Sequence, residues 1–357
     1  RSTLFPYTTL FRSVKLVKKI KEKYDAENAK VVVANSPVEL NGDRENVRVR
    51  ETNLGNVVAD ALYKYGQTGF ANKTDLAVTN GGGLRETIAK DKPITKGNVI
   101  AVLPFGNTIS QIKVTGQNIA DMFAKSLGSI LQEKDGKPVL DENGQPLLEP
   151  SGGFLQVSGA KVYYDTTLPA EKRILHIEIK NKETGAYEAL DLAKTYYLTT
   201  NDFLAAGGDG YTMLGGAREE GPSMDVAFAD YLESADLTAY AVINPNSRTI
   251  SMSASKDTDG DGYTDIEEIK QGTDPNDAAS TPGQSNPTTP ATPSNPVVPS
   301  HLIKPTYQAP AQVRPMGAVS KQETLPQTGS KNPFLISLFG LVLGTFGVAS
   351  LKKTQKD

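Results

Sequence analysis

Two widely separated glycine-rich segments carry chemistry-bearing side chains: Thr79-Asn80-Gly81-Gly82-Gly83-Leu84-Arg85 and Asn201-Asp202-Phe203-Leu204-Ala205-Ala206-Gly207-Gly208-Asp209-Gly210. Each follows a strand-like run, Leu76 to Thr79 and Tyr196 to Thr200, where backbone without Cβ atoms lets a ligand come close. The first offers a guanidinium and an amide, the second an aromatic ring and a carboxylate. An arginine fork donates two parallel hydrogen bonds to one phosphate group, and a ring with a carboxylate suits a base and its sugar. Taken singly, either segment is also good turn sequence, Gly208-Asp209-Gly210 above all.

Two further blocks accompany them. Gly42-Asp43-Arg44-Glu45-Asn46-Val47-Arg48-Val49-Arg50-Glu51-Thr52-Asn53-Leu54-Gly55-Asn56 lies upstream, and Val102-Leu103-Pro104-Phe105-Gly106-Asn107-Thr108 lies between the glycine-rich segments. The four blocks, in this order and at this spacing, resemble the C-terminal domain of the 5′-nucleotidase family, secreted or surface enzymes that remove phosphate from nucleotides. The resemblance runs from about Val31 to about Ser253. It implies that Arg44, Arg48 and Arg85 serve the phosphate side of a nucleotide substrate, with Gly82 in the close-approach turn. By the same resemblance, Asn80 stands at the junction with the catalytic centre, Phe105 and Phe203 clamp the base, and Asp209 accepts from ribose hydroxyls. A clamp of two rings accepts any base, at about 1–3 kcal/mol per stacked base, so broad base specificity is expected.

The family's reaction is metal-assisted hydrolysis, with two divalent metal ions held by Asp, His and Asn of an N-terminal metallophosphoesterase domain that activates a water. Here only His176, on a strand face, and His301 are available. No catalytic residue is therefore assigned, and this stretch alone is expected to bind nucleotide weakly or undetectably and to hydrolyse nothing. The intact protein is expected to be a hydrolase of phosphoric monoesters. UDP-sugar hydrolases and cyclic-nucleotide phosphodiesterases use the same domain pair, and base clamping does not separate them. A non-catalytic adhesin or binding module is the rival of another class. A display function has no need of three arginines, two rings and Asp209 together.

Composition sets the outer limits. With 357 residues, 38% apolar and 22% charged, the chain can bury one large core and carry appendages. A net charge of -3 gives no overall attraction to nucleic acid, so phosphate binding must come from a local arginine cluster. The absence of cysteine rules out disulfides and thiolate metal sites.

Elements must bring these groups together. Val14, Leu16, Val17 and Ile20 among lysines predict an amphipathic helix over 14–30, of the kind that links an N-terminal domain to this one. Residues 1–13 read as a non-native leader, with a frayed terminus as the alternative. A helix is expected from Asn53, that residue serving as its cap, with Leu54, Val57, Val58, Ala61, Leu62 and Tyr65 on one face and its start holding Arg48 and Arg50 near the ligand. Val99–Phe105 and Ile109–Val114 read as paired strands, and Ile119 to Leu131 as a helix. An exposed hairpin or loop over 133–153, strands at Leu155–Tyr164 and Ile174–Lys180, a helix at Met224–Ser234 and a strand near Arg248–Ser253 complete the pattern. With no regular βαβ repeat, the fold class is α+β, a single mixed domain over 31–254.

Residues 255–278 are read as a thrombospondin type 3-like repeat. Asp257, Asp259 and Asp261, then Gly262, Tyr263 by its carbonyl, Asp265 and Glu268, fit positions 1, 3, 5, 6, 7, 9 and 12 of a twelve-residue calcium loop. Calcium is the expected ion, in a structural site that stiffens the junction between the domain and a stalk. That stalk is residues 279–324, a disordered, proline-rich segment whose Pro287, Pro290, Pro293, Pro296 and Pro299 match the period of polyproline II. In 325–357, Leu325-Pro326-Gln327-Thr328-Gly329 resembles the LPxTG sorting signal of Gram-positive surface proteins. That implies sortase cleavage between Thr328 and Gly329 and covalent attachment to peptidoglycan at the cell surface. The uncharged stretch 332–351 would extend about 30 Å as a helix, enough to cross a bilayer, with basic Lys352, Lys353 and Lys356 behind it. A plain transmembrane anchor is the competing reading.

Overall fold

In a computed structural model the described residues are 7–283. The proline-rich stalk beyond that point, Thr328-Gly329 and the apolar stretch 332–351 lie outside them. Among the described residues no helix is long and apolar enough to cross a membrane.

Helix α1 (Tyr7–Asn28) begins inside the segment expected to be a foreign leader, not at Val14. No Gly or Pro interrupts 7–28, so nothing stops the helix short. Its Lys18–Glu22 and Lys21–Asp25 pairs are spaced one turn apart. The apolar side chains Val14, Leu16, Val17 and Ile20 remain largely exposed, so the expected amphipathic face is not packed on the domain.

Strand β1 (Val31–Val33) comes next, then the short helix α2 (Arg44–Val47) and helix α3 (Asn53–Gly66). The α3 cap is Thr52, whose hydroxyl accepts from the Gly55 amide, and not Asn53. Asn53 is buried and its amide donates to the Glu39 and Tyr240 carbonyls, tying distant loops together. Strand β2 (Leu76–Asn80) leads through β3 (Ile94–Thr95) to helix α4 (Lys96–Val102). Here the expectation of a strand at Val99–Phe105 fails. Thr95 and Asn98 form a reciprocal capping box that starts a helix, and it outweighs the β-branched content of the segment.

Strand β4 (Thr108–Thr115) leads into helix α5 (Gly116–Ser126), which ends before Ile130 and Leu131, both expected on it. The hairpin β5 (Glu133–Lys134) and β6 (Lys137–Pro138) is exposed as expected. Strands β7 (Leu155–Ser158) and β8 (Ala160–Tyr164) are separated by Gly159. At φ +75° that glycine lets the chain turn from one sheet into the next. Strands β9 (Ile174–Lys180), β10 (Tyr187–Ala189) and β11 (Thr195–Asn201), helix α6 (Asp202–Ala205), strand β12 (Arg218–Ser223), helix α7 (Met224–Ser234), strand β13 (Thr249–Ser251) and helix α8 (Asp265–Gln271) complete the described elements.

A five-stranded sheet in the order β12-β4-β11-β2-β7 forms the centre, and a four-stranded sheet β10-β9-β8-β13 lies beside it. Among the described residues only β11 with β2 and β13 with β8 pair parallel. The central sheet is covered on both faces, and strand alternation sorts its residues. Leu76, Val78, Ile112 and Val114 join one apolar cluster with Met122 and Phe123 of α5 and with Val162 and Ile177 of the second sheet. Ala77 and Ile109 face the other way, into a cluster with Leu54, Val58 and Leu62 of α3, Val99 of α4 and Phe228 of α7. The expected mixed α+β domain is thus present.

Candidate functional site

Strand direction decides which loops meet. Because β2 and β11 run parallel, Asn80 and Asn201 end at the same edge of the sheet. Strand β4 is antiparallel to β11, with Ile109 opposite Asn201, so the loop entering β4 carries Phe105 and Asn107 to that edge. Strand β7 is antiparallel to β2, with Leu155 opposite Asn80, which brings Gly152 there as well. Ligands commonly sit beyond the carboxyl ends of such parallel neighbours.

A cleft of about 350 Å³ opens at this edge, lined by Arg48, Asn80, Gly82, Gly83, Phe105, Asn107, Gly152, Phe203 and Asp209. Six expected residues therefore meet in one place: Arg48, Asn80, Gly82, Phe105, Phe203 and Asp209. The volume is within the range of small-ligand sites. Phe105 and Phe203 are 60% and 44% exposed, so neither ring belongs to the core.

Arg48 is held from behind. Its carbonyl accepts from the Ser151 amide at 3.0 Å, and the buried Gln156 on β7 donates to the Val47 and Arg50 carbonyls at 3.0 and 2.7 Å. The Nε of Arg48 is buried without a hydrogen-bond partner. Burial, then the like charges of Arg44 and Arg85, lower the pKa of this guanidinium, while Asp209 opposes them. The site thus gathers three cations with too few anions. Arg85 lies at the rim with its guanidinium 5.6 Å from the centre of the Phe105 ring, a cation–π distance. Arg44 is exposed, with Glu45 beside it at 3.8 Å.

Arg50 departs from expectation. It bonds Glu142 at 2.5 Å, away from the cleft. The adjacent Glu51 is buried and accepts from the Ser247, Arg248 and Thr249 amides, so it anchors the closing strand and pairs with no arginine of the block.

On the opposite side, Asp209 has φ +52°, a left-handed conformation that aspartate tolerates better than most side chains do. Its Oδ2 accepts from the Asn80 amide at 2.9 Å, and the Asn80 carbonyl oxygen accepts from Asn201 at 3.1 Å. Asn80 therefore faces Asp209. Sequence reading missed Gly83, Asn107, Gly152 and Gln156. Asn107 was visible beside Phe105 in its own block, and its amide donates to Asp202 at 2.7 Å. Gln156 gave no signal, being one polar residue in a strand.

At the acidic loop, the Asp257, Asp259 and Asp261 carboxylates lie within 4.8 Å of one another. Glu268 on α8 is fully buried, and both its carboxylate oxygens lack a partner, as do the Oδ2 atoms of Asp259 and Asp261. Burial, followed by the Asp259 charge, pushes the Glu268 carboxyl upward. These carboxylates fit a hard divalent cation. Asp265 does not join them: both its oxygens accept from Thr258, at 2.7 Å from the amide and 2.7 Å from the hydroxyl. Position 9 of such a loop commonly reaches the ion through water, and the Thr258 bonds hold Asp265 at that position.

The model of the 5′-nucleotidase C-terminal domain matches residues 32–216, and that of the bacterial TSP3 repeat matches residues 257–278. A trifunctional nucleotide phosphoesterase protein of Bacillus subtilis is 34% identical over 210 residues, 59% of this chain and 13% of the relative. A snake venom 5′-nucleotidase of Naja atra is 33% identical over 208 residues, 55% of this chain and 36% of the relative. Among solved structures, a 5′-nucleotidase precursor from Thermus thermophilus aligns with a TM-score of 0.52 at 33% identity, covering 68% of this chain and 43% of that one. The chain thus spans less than half the length of each of these relatives.

Proposed function

The chain belongs to the family of 5′-nucleotidase C-terminal domains, and from that premise we propose that it is the nucleotide-recognition part of a cell-surface 5′-nucleotidase. The observation behind this reading is the cleft in which Arg48, its Nε buried without a partner, meets two exposed rings and a carboxylate. Arg48, with Arg44 and Arg85 at its margin, takes the phosphate. Phe105 and Phe203 take the base, and Asp209 takes the ribose. Substrates with a UDP-sugar or a cyclic phosphate would enter by the same base-binding wall, and the nucleotide phosphoesterase relative from Bacillus subtilis favours such breadth.

The family implies two divalent ions for hydrolysis, and the cleft does not fit them. Among the described residues the only cluster of three or more metal-binding side chains is Asp257, Asp259 and Asp261, and none of these lines the cleft. The ions belong to an N-terminal metallophosphoesterase domain of the intact protein, and no hydrolytic step is assigned to this chain. The purified chain should accordingly release no phosphate from AMP when zinc, manganese or magnesium is added. Sustained metal-dependent release, absent with a chelator, would overturn the assignment.

Calcium is proposed at Asp257, Asp259, Asp261 and Glu268, with the Tyr263 carbonyl and with Asp265 at the ninth position, where it would neutralise a buried carboxylate. Ile266 on the same short helix is buried and α8 packs on β9, so the ion would fix this helix against the second sheet. Trypsin cleavage after Lys270 should slow about tenfold at calcium concentrations ten times the dissociation constant. Unchanged cleavage with and without calcium would rule out that role. The LPxTG-type motif at Leu325–Gly329 is proposed as the sortase substrate, joining Thr328 to peptidoglycan and leaving the domain outside the cell on its stalk.

A further inference from the structure

We propose that Asn201 and Asn80 act as a hydrogen-bond relay that positions Asp209, and that through this relay the pocket selects ribonucleotides over nucleotides without sugar hydroxyls. The inference rests on the reading of Asp209 as the sugar-facing group. It concerns Asn201, which does not line the cleft, and its link to Asn80, which does.

The direction of the relay is set by the backbone. Asn201 caps α6, and its Oδ1 must accept from the Leu204 amide, at 2.8 Å, because that amide can only donate. This leaves the Nδ2 of Asn201 to face Asn80, to whose Oδ1 it donates at 3.1 Å. With its oxygen so engaged, Asn80 can present only its Nδ2 to Asp209, at 2.9 Å. Each amide orientation follows from the one before it. Asn201 and Asn80 are 3% and 5% exposed, so water does not substitute for either link.

The end of the relay is the part that needs holding. Asp209 is exposed and sits in a left-handed turn between Gly207 and Gly210, whose φ values are +88° and +80°. Such a turn has few internal restraints on a side chain. The Asn80 bond engages one carboxylate oxygen, Oδ2, and leaves Oδ1 to accept from a ligand in the cleft that Asp209 lines. A carboxylate fixed in this way accepts a sugar hydroxyl without first losing rotamer freedom.

Asn201→Asp tests the relay while keeping the cap, since a carboxylate oxygen can still accept from Leu204. The second oxygen would now face Asn80 and force its amide to turn over, presenting a carbonyl oxygen to Asp209. The probes are AMP and 2′,3′-dideoxyadenosine 5′-monophosphate, titrated into the purified chain by NMR. The wild type should prefer AMP by about tenfold or more, the discrimination of a hydrogen bond to a charged group. In Asn201→Asp that preference should fall to about twofold or less, with dideoxy affinity unchanged. Asn80→Ala should also lose the preference. Retention of the wild-type preference in both variants would overturn the relay, and so would an equal loss of both ligands in Asn201→Asp. A wild type that binds both probes equally would instead refute the sugar role of Asp209. The preformed cleft makes weak binding, not none, the expected result for this chain, so one that binds neither probe even at millimolar concentration would refute the nucleotide reading itself.

Discussion

Replacing Arg48 by methionine should lower the affinity for AMP by about ten- to a hundredfold, the range of a charge-assisted hydrogen bond pair, while adenosine affinity changes little. The same substitution should raise the melting temperature. Both effects have one cause. The Ser151 bond to its carbonyl and the neighbouring Gln156 bonds fix the Arg48 backbone, and its guanidinium lies within reach of the Arg44 and Arg85 charges. Burial and those two like charges disfavour its charged form, and at every accessible pH the guanidinium remains charged, so the folded protein carries that penalty throughout. A bound phosphate would relieve it. Isothermal titration with AMP and adenosine, together with thermal melts of both proteins, reads the two signs. Equal losses for AMP and adenosine would place Arg48 outside the phosphate site.

Gly81→Ala should destabilise the chain by about 1–3 kcal/mol, as overpacking does, and should weaken AMP binding by more than tenfold. A Cβ at Gly81 would lie 2.0 Å from the Val47 carbonyl oxygen and 3.3 Å from the Arg48 Cα. The obstruction is backbone, so no rotamer change removes it. The glycine turn and α2 would have to separate, and α2 carries Arg44 while leading directly into Arg48. Gly144→Ala is the control: a Cβ there meets nothing within 4 Å, and the residue sits at φ +77° in the exposed loop. Its penalty should be about 1 kcal/mol, with AMP binding intact. Denaturant melts and titrations of both variants decide the matter, and equal behaviour would show that the close approach at Gly81 does not shape the site.

Much of the site was legible because its side chains sit next to glycines at strand ends, where local sequence and function coincide. Asn80, Gly82, Phe203 and Asp209 belong to this group. Their convergence was not legible from spacing. It depends on the parallel pairing of β2 with β11, a contact between residues more than a hundred positions apart, and was expected only through the family resemblance. Where pattern misleads, a local bond or a distant partner outweighs it. Three apolar β-branched residues, Val99, Ile100 and Val102, suggest a strand, but the Thr95–Asn98 box starts a helix. Arg50 looks equivalent to Arg48 two residues away, yet the two side chains diverge and Arg50 finds Glu142 on the far side. Helix α1 starts seven residues ahead of Val14, since a helix once nucleated propagates through residues 7–13, which contain neither glycine nor proline.

The most direct test of the central claim is a heteronuclear NMR titration of the wild-type chain with AMP, following the Arg48 side-chain Nε–H and the Phe105, Phe203 and Asp209 amides. All four should move along one saturation curve, and adenosine should move the last three while leaving Arg48 in place. Shifts that scatter over other surfaces, or an Arg48 signal indifferent to AMP at saturation of the rings, would contradict a single cleft that reads phosphate, base and sugar together.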